Sequence, residues 1–540
     1  MNRLFEYCPL PTAQQMRQWD AGAAEAGLPT LLLMENAAHA ALEVLQQCTG
    51  AVRGKTVWLT MGSGNNGGDA AALARLLDDA GAYPLLLHSK PLHAYTGAAG
   101  KHLKLARAAG IACCPVARHS WNSRPPHILI DGLLGTGLQG AMRPASAAVV
   151  AQCNALREHS FILALDIPSG MESLNGLPCP DAVRAHATVT FEAAKPALML
   201  PHAATFTGQV YTRPVGIPRR VRAALPPDYY GIVPACAALL PTPAAQSHKN
   251  SFGHVLVLGG AEGMRGAAHL TARAALRSGC GLVSIAAPHG EQGSACAELR
   301  LDIPDIMTLP LHSTWWPEQL PSAWQQALLA SNAVVLGPGM GRSPQAAALC
   351  AAVLALPQRP RAVVDADALF ALAHAAPLLA PRLRADDCIT PHPGEAARLL
   401  GISNTAVQAD RFAAHQALQR RYGCLCVLKG AGTLVGSAGQ PCGIAPYAVP
   451  NLALAGSGDI LAGCIASLMA QGMETTLATA LAVLLHATAG TMLAKAYPQR
   501  GNLSRDTADA LPAARAFLHS GSLSQNMADT LPPASTFLQN

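Results

Sequence analysis

Lys55-Thr-Val-Trp-Leu-Thr-Met61 runs directly into Gly62-Ser-Gly-Asn-Asn-Gly-Gly-Asp69, and Ala70-Ala-Ala-Leu-Ala-Arg-Leu-Leu-Asp-Asp-Ala80 follows without a break. A short apolar run bounded by glycine reads as a buried strand, and Leu73, Leu76 and Leu77 fall on one face of a helix. Strand, glycine turn and helix together open a parallel, doubly wound α/β sheet. At such a helix start the backbone N–H groups and the helix dipole favour an anion. The side chains of Asn65, Asn66 and Asp69 add oxygen ligands or hydrogen bonds to a sugar. A bare glycine turn is equally a tight connection, so the neighbouring strand ends decide its meaning.

Those ends repeat the pattern. Strands are expected at Tyr83 to His88, His127 to Ile130 and Phe161 to Leu165, with a further helix at Ala98 to Ala109. Asp131 leads into Gly132-Leu-Leu-Gly135-Thr136-Gly137, and Asp166-Ile-Pro-Ser169-Gly170 closes a third strand. One strand-end Asp is commonly a cap; three such turns on one sheet edge point to a site, because ligands of open α/β sheets bind at the carboxyl ends of strands.

Around 217–247 the periodicity lapses into Pro-rich text, and a second α/β pattern begins at His254 to Leu258. It continues with Leu282 to Ala286, Ala333 to Leu336, Ala362 to Val364, Cys388 to Thr390 and Leu425 to Lys429. We therefore expect a first domain over 1–225, a linker over 226–247, a second domain over 248–500 and a loosely ordered tail over 501–540, with a short helix conceivable at Leu511 to Leu518. The second half carries Lys249…Gly259-Gly260…Gly263…Gly266-Ala267, Gly337-Pro-Gly339-Met-Gly341, Asp365-Ala-Asp367, Thr390-Pro-His392-Pro-Gly-Glu395 and Lys429-Gly430-Ala431-Gly432-Thr433. Gly456-Ser-Gly458-Asp459 precedes a long apolar helix. Amides at that start form an anion hole for a transferring phosphoryl group, and the Asp accepts the proton of an attacking hydroxyl.

With half of its 540 residues hydrophobic and 13% charged, the chain is globular rather than disordered. Its 38 Lys+Arg against 32 Asp+Glu give only +6, without basic runs, and aromatics are 4%, so neither nucleic acid nor an acidic membrane is expected as partner. The 15 cysteines contain no CxxC pair, and Met1 to Thr12 lacks the apolar core of a signal peptide, which suits reduced thiols in the cytoplasm. Thr476 to Ala494 carries no formal charge, yet its Thr, Gly and His486 favour a buried helix over a membrane span.

The first-half motifs, with Met16-Arg17, Asp20, Leu33-Met-Glu-Asn-Ala37 and Thr188-Val-Thr-Phe191…Lys195-Pro196, resemble the NAD(P)H-hydrate epimerase domain. The resemblance implies a Rossmann-like three-layer fold. It implies that Asn65, Asn66, Gly67, Gly68 and Asp69, with Gly135, Thr136, Gly137, Leu138, Gln139, Gly140 and Ala141, contact the hydrated dinucleotide together with Lys195. It also implies K+ on Asn66, Asp131 and Ser169, and Asp166 as the substrate-contacting acid/base. Ala70 departs from the family, which usually has Gly there. The second-half motifs resemble the ADP-dependent NAD(P)H-hydrate dehydratase domain, a ribokinase-like α/β fold. That resemblance implies nucleotide contacts from Lys429 to Thr433 and Gly458, substrate contacts from Ala267, Gly339, Gly341 and His392, and Asp459 as the base, with Mg2+ and ADP. Val449 stands where the family often has a polar residue. The implied function is repair of hydrated NADH and NADPH: epimerisation of the R and S hydrates, then ADP-dependent dehydration of the S form, by a homo-oligomer. A ribokinase-like small-molecule kinase and an inactive nucleotide-binding scaffold are the competing readings.

Overall fold

Along Thr56–Met61, the side chains of Val57, Leu59 and Met61 enter one hydrophobic core while Trp58 enters another. Ile128 and Ile130 against Leu129, and Leu163 and Leu165 against Ile162, divide in the same way. Successive side chains of a strand point to opposite faces, so a strand apolar at every position is buried on both, as in a parallel sheet covered by helices.

The computed structural model describes residues 3–122, 124–138, 140–289, 304–312, 316–317, 319–520 and 530–531. The chain divides into two units, Cys8–Gly231 with Leu523–Asn540, and Ile232–Ser522 with Met1–Tyr7. The division falls inside the expected linker, where Tyr229–Gly231 is a strand and Pro234–Leu239 a 3-10 helix.

In the first unit seven parallel strands run in the order Gln209–Arg213, Ala187–Phe191, Phe161–Leu165, Ile128–Gly132, Thr56–Met61, Tyr83–His88, Ala112–Pro115. Helices Thr30–Thr49, Asn65–Asp79 and Gly97–Ala108 contribute to the core of one face, and Pro144–Ala155 to that of the other. This is the expected three-layer α/β arrangement.

The second unit orders its strands Cys442–Ala445, Thr433–Gly436, Leu425–Leu428, Cys388–Ile389, Arg361–Val364, Ala333–Leu336, His254–Leu258, Leu282–His289, Met307–His312. The last seven are parallel, and the first two join Leu425–Leu428 as an antiparallel meander. Helix Thr475–Ala496 is long and apolar enough to cross a membrane, yet most of it is buried, packed against helix Ser457–Ala470 and the sheet.

The tail needs correction. Ser504–His519 is a full helix rather than loose chain, and it contains and extends the short helix conceived at Leu511 to Leu518. It packs on Thr475–Ala496 and Arg265–Arg277, where Asp509 takes a forked pair of bonds from Arg273 at 2.9 and 2.6 Å. Thr507, Ala508, Leu511, Ala514 and Leu518 form its buried stripe. Beyond it, Thr530–Leu531 pairs antiparallel with Gln209–Arg213; the rest of the tail after 520 lies outside the described residues.

Candidate active sites

At the carboxyl edge of the first sheet lies a cavity of about 1010 Å³. Of the residues expected to meet substrate, Asn65, Asn66, Asp69, Gly135, Thr136, Gly137, Leu138, Ala141 and Asp166 line it. Asp166 stands immediately after strand Phe161–Leu165 with φ 63°, a left-handed conformation that Asp adopts more readily than most residues. Its N–H donates to the Val189 carbonyl at 2.7 Å, and its Oδ1 accepts from Thr190 Oγ1 at 3.3 Å and from Lys195 Nζ. Lys195 does not line the cavity. It is a buried cation behind Asp166, donating also to Thr190 Oγ1 at 2.9 Å and to the Phe191 carbonyl at 3.2 Å.

Two further carboxyls share this wall. Burial, then the charge of Asp166, pushes Asp20 up to about 6 against the pull of Lys195. Asp69 is held well above the ordinary range by burial, then by Asp166 and Asp20. That shift favours the protonated form of Asp69. Asp20 lies mid-helix in Ala13–Glu25; it is among the residues that carry the epimerase resemblance, which assigned it no role.

Gly67 and Gly68 do not line the cavity; both are buried in helix Asn65–Asp79. A Cβ on Gly67 would stand 1.9 Å from the Gly62 carbonyl oxygen, and one on Gly68 2.8 Å from Met34 Sδ, so both let backbones approach. Gly140 is exposed with φ 68°, outside the lining, and Gln139 lies outside the described residues. Ala70 is fully buried in the helix, with its methyl against Gly132 rather than in the cavity.

The three residues expected around a cation do converge. Asp131, fully buried, accepts from the Ser169 hydroxyl at 2.6 Å, the Ser169 N–H at 2.7 Å and the Leu133 N–H at 3.3 Å. Asn66 donates through Nδ2 to the Leu134 carbonyl at 2.8 Å, and its buried Oδ1 has no hydrogen-bond partner.

In the second unit a partly buried lysine gathers carboxylates. Lys429 Nζ lies 2.8 Å from Asp365 Oδ1 and 3.9 Å from Glu395 Oε2. Gly458 sits directly above: a Cβ there would be 3.1 Å from Lys429 Nζ and 3.6 Å from Asp365 Oδ2. Asp459 follows in the first turn of helix Ser457–Ala470, which no side chain caps, leaving first-turn N–H groups for an anion. Burial, then Asp365, pushes Asp459 up to about 7, against Lys429. Glu395 is also pushed up to about 7, chiefly by burial.

Gly339, at φ 59°, lies so close to Met264 that a Cβ would meet its carbonyl oxygen at 2.2 Å and Ala267 Cβ at 3.2 Å. Gly341 N–H donates to Asp367 Oδ2 at 2.8 Å, and a Cβ on Gly341 would stand 3.3 Å from Met264 Cε, so Ala267, Gly339 and Gly341 gather around Met264. His392 caps helix Pro393–Leu400, its Nδ1 accepting from Gly394 and Glu395 N–H at 3.0 and 3.3 Å, and burial, then Lys429, holds its imidazole below the ordinary value. His392 thus shapes the turn into that helix. Gly430, Ala431 and Gly432 lie in the loop between strands Leu425–Leu428 and Thr433–Gly436, the second of which Thr433 opens, and Arg411 anchors that loop on the carbonyls of Leu428, Lys429 and Gly432. Val449 provides no cap to the turn Pro450–Leu452; Asn451 anchors it instead, donating to Asn502 Oδ1 at 2.9 Å.

Comparison with known proteins matches residues 255–513 to the family described as NAD(P)H-hydrate dehydratase and 30–197 to that described as YjeF-related protein N-terminus. The bifunctional NAD(P)H-hydrate repair enzyme of Moorella thermoacetica is 34% identical over 520 residues, covering 93% of this chain and 96% of its own. That of Coxiella burnetii is 35% identical over 500 residues, covering 91% and 96%. A solved ADP/ATP-dependent NAD(P)H-hydrate dehydratase from Bacillus subtilis, co-crystallised with ATP and Mg2+, is 24% identical with a TM-score of 0.45, covering 53% of this chain and 98% of its own.

Proposed function

The chain belongs to the bifunctional NAD(P)H-hydrate repair enzymes, joining an epimerase domain to an ADP-dependent dehydratase domain, and from that premise we propose how its two carboxylate sites divide the work. In the first, the R and S hydrates interconvert at C6. The first turn of helix Asn65–Asp79 and the residues Gly135–Leu138 with Ala141 hold the dinucleotide, and Asp166 exchanges a proton with the hydrated ring. Lys195 fixes the Asp166 carboxylate from behind, and Asp69 supplies the complementary proton.

Asn66 Oδ1, Asp131 and Ser169 suit K+: the set is all oxygen, and the Asn66 oxygen is buried without a partner. These residues would hold K+, which would supply a fixed positive charge beside the dinucleotide. Mg2+ is assigned to the nucleotide's phosphates, whose charge it offsets.

In the second site the C6 hydroxyl of the S hydrate attacks the β-phosphoryl group of ADP. Asp459 takes the hydroxyl proton, AMP leaves, and the first-turn amides of helix Ser457–Ala470 hold the transferring group. Departure of phosphate from C6 with a proton from C5 restores the reduced nicotinamide. Lys429 and the loop to Thr433 hold the nucleotide, while Ala267, Gly339, Gly341 and His392 face the hydrate. A cytoplasmic homo-oligomer completes the reading; the fourteen described cysteines are free thiols, and light scattering tests the assembly.

The observation that carries the reading is Asp459, titrating near 7 in an uncapped helix turn above Lys429. Purified S hydrate with ADP and Mg2+ should return NADPH, and purified R hydrate without nucleotide should become an R/S mixture. Nucleotide binding without either conversion would overturn the proposal.

A further inference from the structure

The first cavity extends well beyond the carboxylates. Asp166 follows strand Phe161–Leu165, whereas Ser89 and Lys90, which also line the cavity, follow Tyr83–His88, three strands along the same edge. At normal strand spacing that is roughly 14 Å, the reach of a dinucleotide laid along the edge rather than of a lone nicotinamide ring. The next strand, Ala112–Pro115, delivers His119 and Trp121 to the lining. Trp121 is held edge-on by His119 at 5.2 Å and Trp58 at 6.0 Å, which fixes its ring in the wall.

The strand Thr56–Met61, its glycine turn and helix Asn65–Asp79 lead into Tyr83–His88. In dinucleotide-binding sheets the end of that second strand reads the adenosine ribose: a carboxylate there accepts from the 2′-hydroxyl, a cation accepts a 2′-phosphate. Here the sequence is His88-Ser89-Lys90, with no carboxylate. His88 is turned inward, its Nδ1 bonded to the Lys90 carbonyl at 2.7 Å, while the Lys90 side chain is exposed and makes no ion pair with any described residue. Arg143, also lining the cavity, likewise makes no ion pair among the described residues, and the carboxylates among the described lining are Asp20, Asp69 and Asp166.

We propose that Ser89–Lys90 with Trp121 forms an adenosine 2′-phosphate subsite, so that the first domain prefers hydrated NADPH over hydrated NADH. The base stacks on Trp121 and Lys90 takes the 2′-phosphate. This rests on the epimerase reading of the same cavity.

The test measures R-to-S exchange by the full chain, without ADP, on each hydrate. The wild type is expected to favour the NADPH hydrate about tenfold in kcat/KM, Lys90→Glu to reverse that ratio, and Trp121→Ala to raise both KM values together. A ratio that Lys90→Glu leaves unmoved, or an equal loss on both hydrates, overturns the assignment. If the wild type exchanges neither hydrate, the epimerase reading fails, and the subsite is judged separately by 19F NMR of the full chain labelled with 5-fluorotryptophan. Adenosine 2′,5′-bisphosphate should shift the Trp121 resonance, assigned with Trp121→Phe, and at least tenfold more ligand should be needed in Lys90→Glu. A Trp121 resonance that does not move overturns the subsite.

Discussion

Replacing Asp459 by Asn removes a base and a buried charge in one step, and the two effects have opposite signs. A positioned general base contributes about 10²–10⁴-fold, or about 3–5 kcal/mol of barrier, so ADP-dependent dehydration should fall by that factor while epimer exchange continues. The wild-type rate needs the ionised carboxyl. With Asp459 titrating at about 7, dehydration should rise about tenfold between pH 6 and pH 8 and then level, and the variant should lose that rise. Stability runs the other way. The folded value lies above the usual 3.8 of the unfolded chain, so the folded state holds a proton that the unfolded state releases. Wild-type stability therefore declines as pH rises from about 4 to about 7 and is flat above. Asn cannot ionise, so the variant should be the more stable protein, by a margin that grows across that window. Thermal unfolding at pH 5 and pH 8, beside the rate on S hydrate, checks both. A variant that is inactive and also less stable at pH 8 would refute the reasoning, because its loss would then come from damage to the fold.

Changing Lys429 to Met removes the cation that holds Asp459 down, so the alkaline rise in dehydration should move up by about one to three pH units, read from the pH–rate profile. Asp166→Asn should slow R-to-S exchange by about 10²–10⁴-fold and leave S-hydrate dehydration in place, measured by resolving the epimers with and without ADP. Arg359→Leu strands the fully buried Asp387, which Arg359 grips at 2.8 and 2.5 Å, and should cost about 3–5 kcal/mol in denaturant unfolding of the second unit. Gly67→Ala drives a methyl to 1.9 Å from the Gly62 carbonyl and should lower the first unit's stability by about 1–3 kcal/mol, seen as earlier melting.

How much of this was legible depended on whether the signal was local. Strands such as Tyr83–His88, His254–Leu258 and Ala333–Leu336 coincide with their apolar runs because each is buried in a parallel sheet and bounded by a turn. Ala112–Pro115 and Met307–His312 escaped: each is the outermost parallel strand of its sheet, where pairing on one side suffices and the apolar signal thins. The helix Ser504–His519 hid behind Pro512, although its buried stripe recurs every three or four residues. At the sites, strand-end turns announced Asp131, Asp166 and Lys429, and the Gly-Ser-Gly turn before a long apolar helix announced Asp459. Asp20 gave no such notice, since its meaning arises only when its helix brings it beside Asp166 across more than a hundred residues of chain. Asp365 was visible as part of a motif, but its pairing with Lys429 depends on the order of strands Arg361–Val364 and Leu425–Leu428, on either side of Cys388–Ile389.

The central claim is that one chain drains both hydrate epimers through a single ADP-dependent exit. The most direct measurement incubates the purified protein with mixed R and S NADPH hydrate, with and without ADP and Mg2+, following reduced-nicotinamide absorbance while resolving the epimers. The account predicts full ADP-dependent recovery of NADPH from both, faster than their spontaneous exchange. Recovery of only the S fraction, or none despite bound nucleotide, would contradict it.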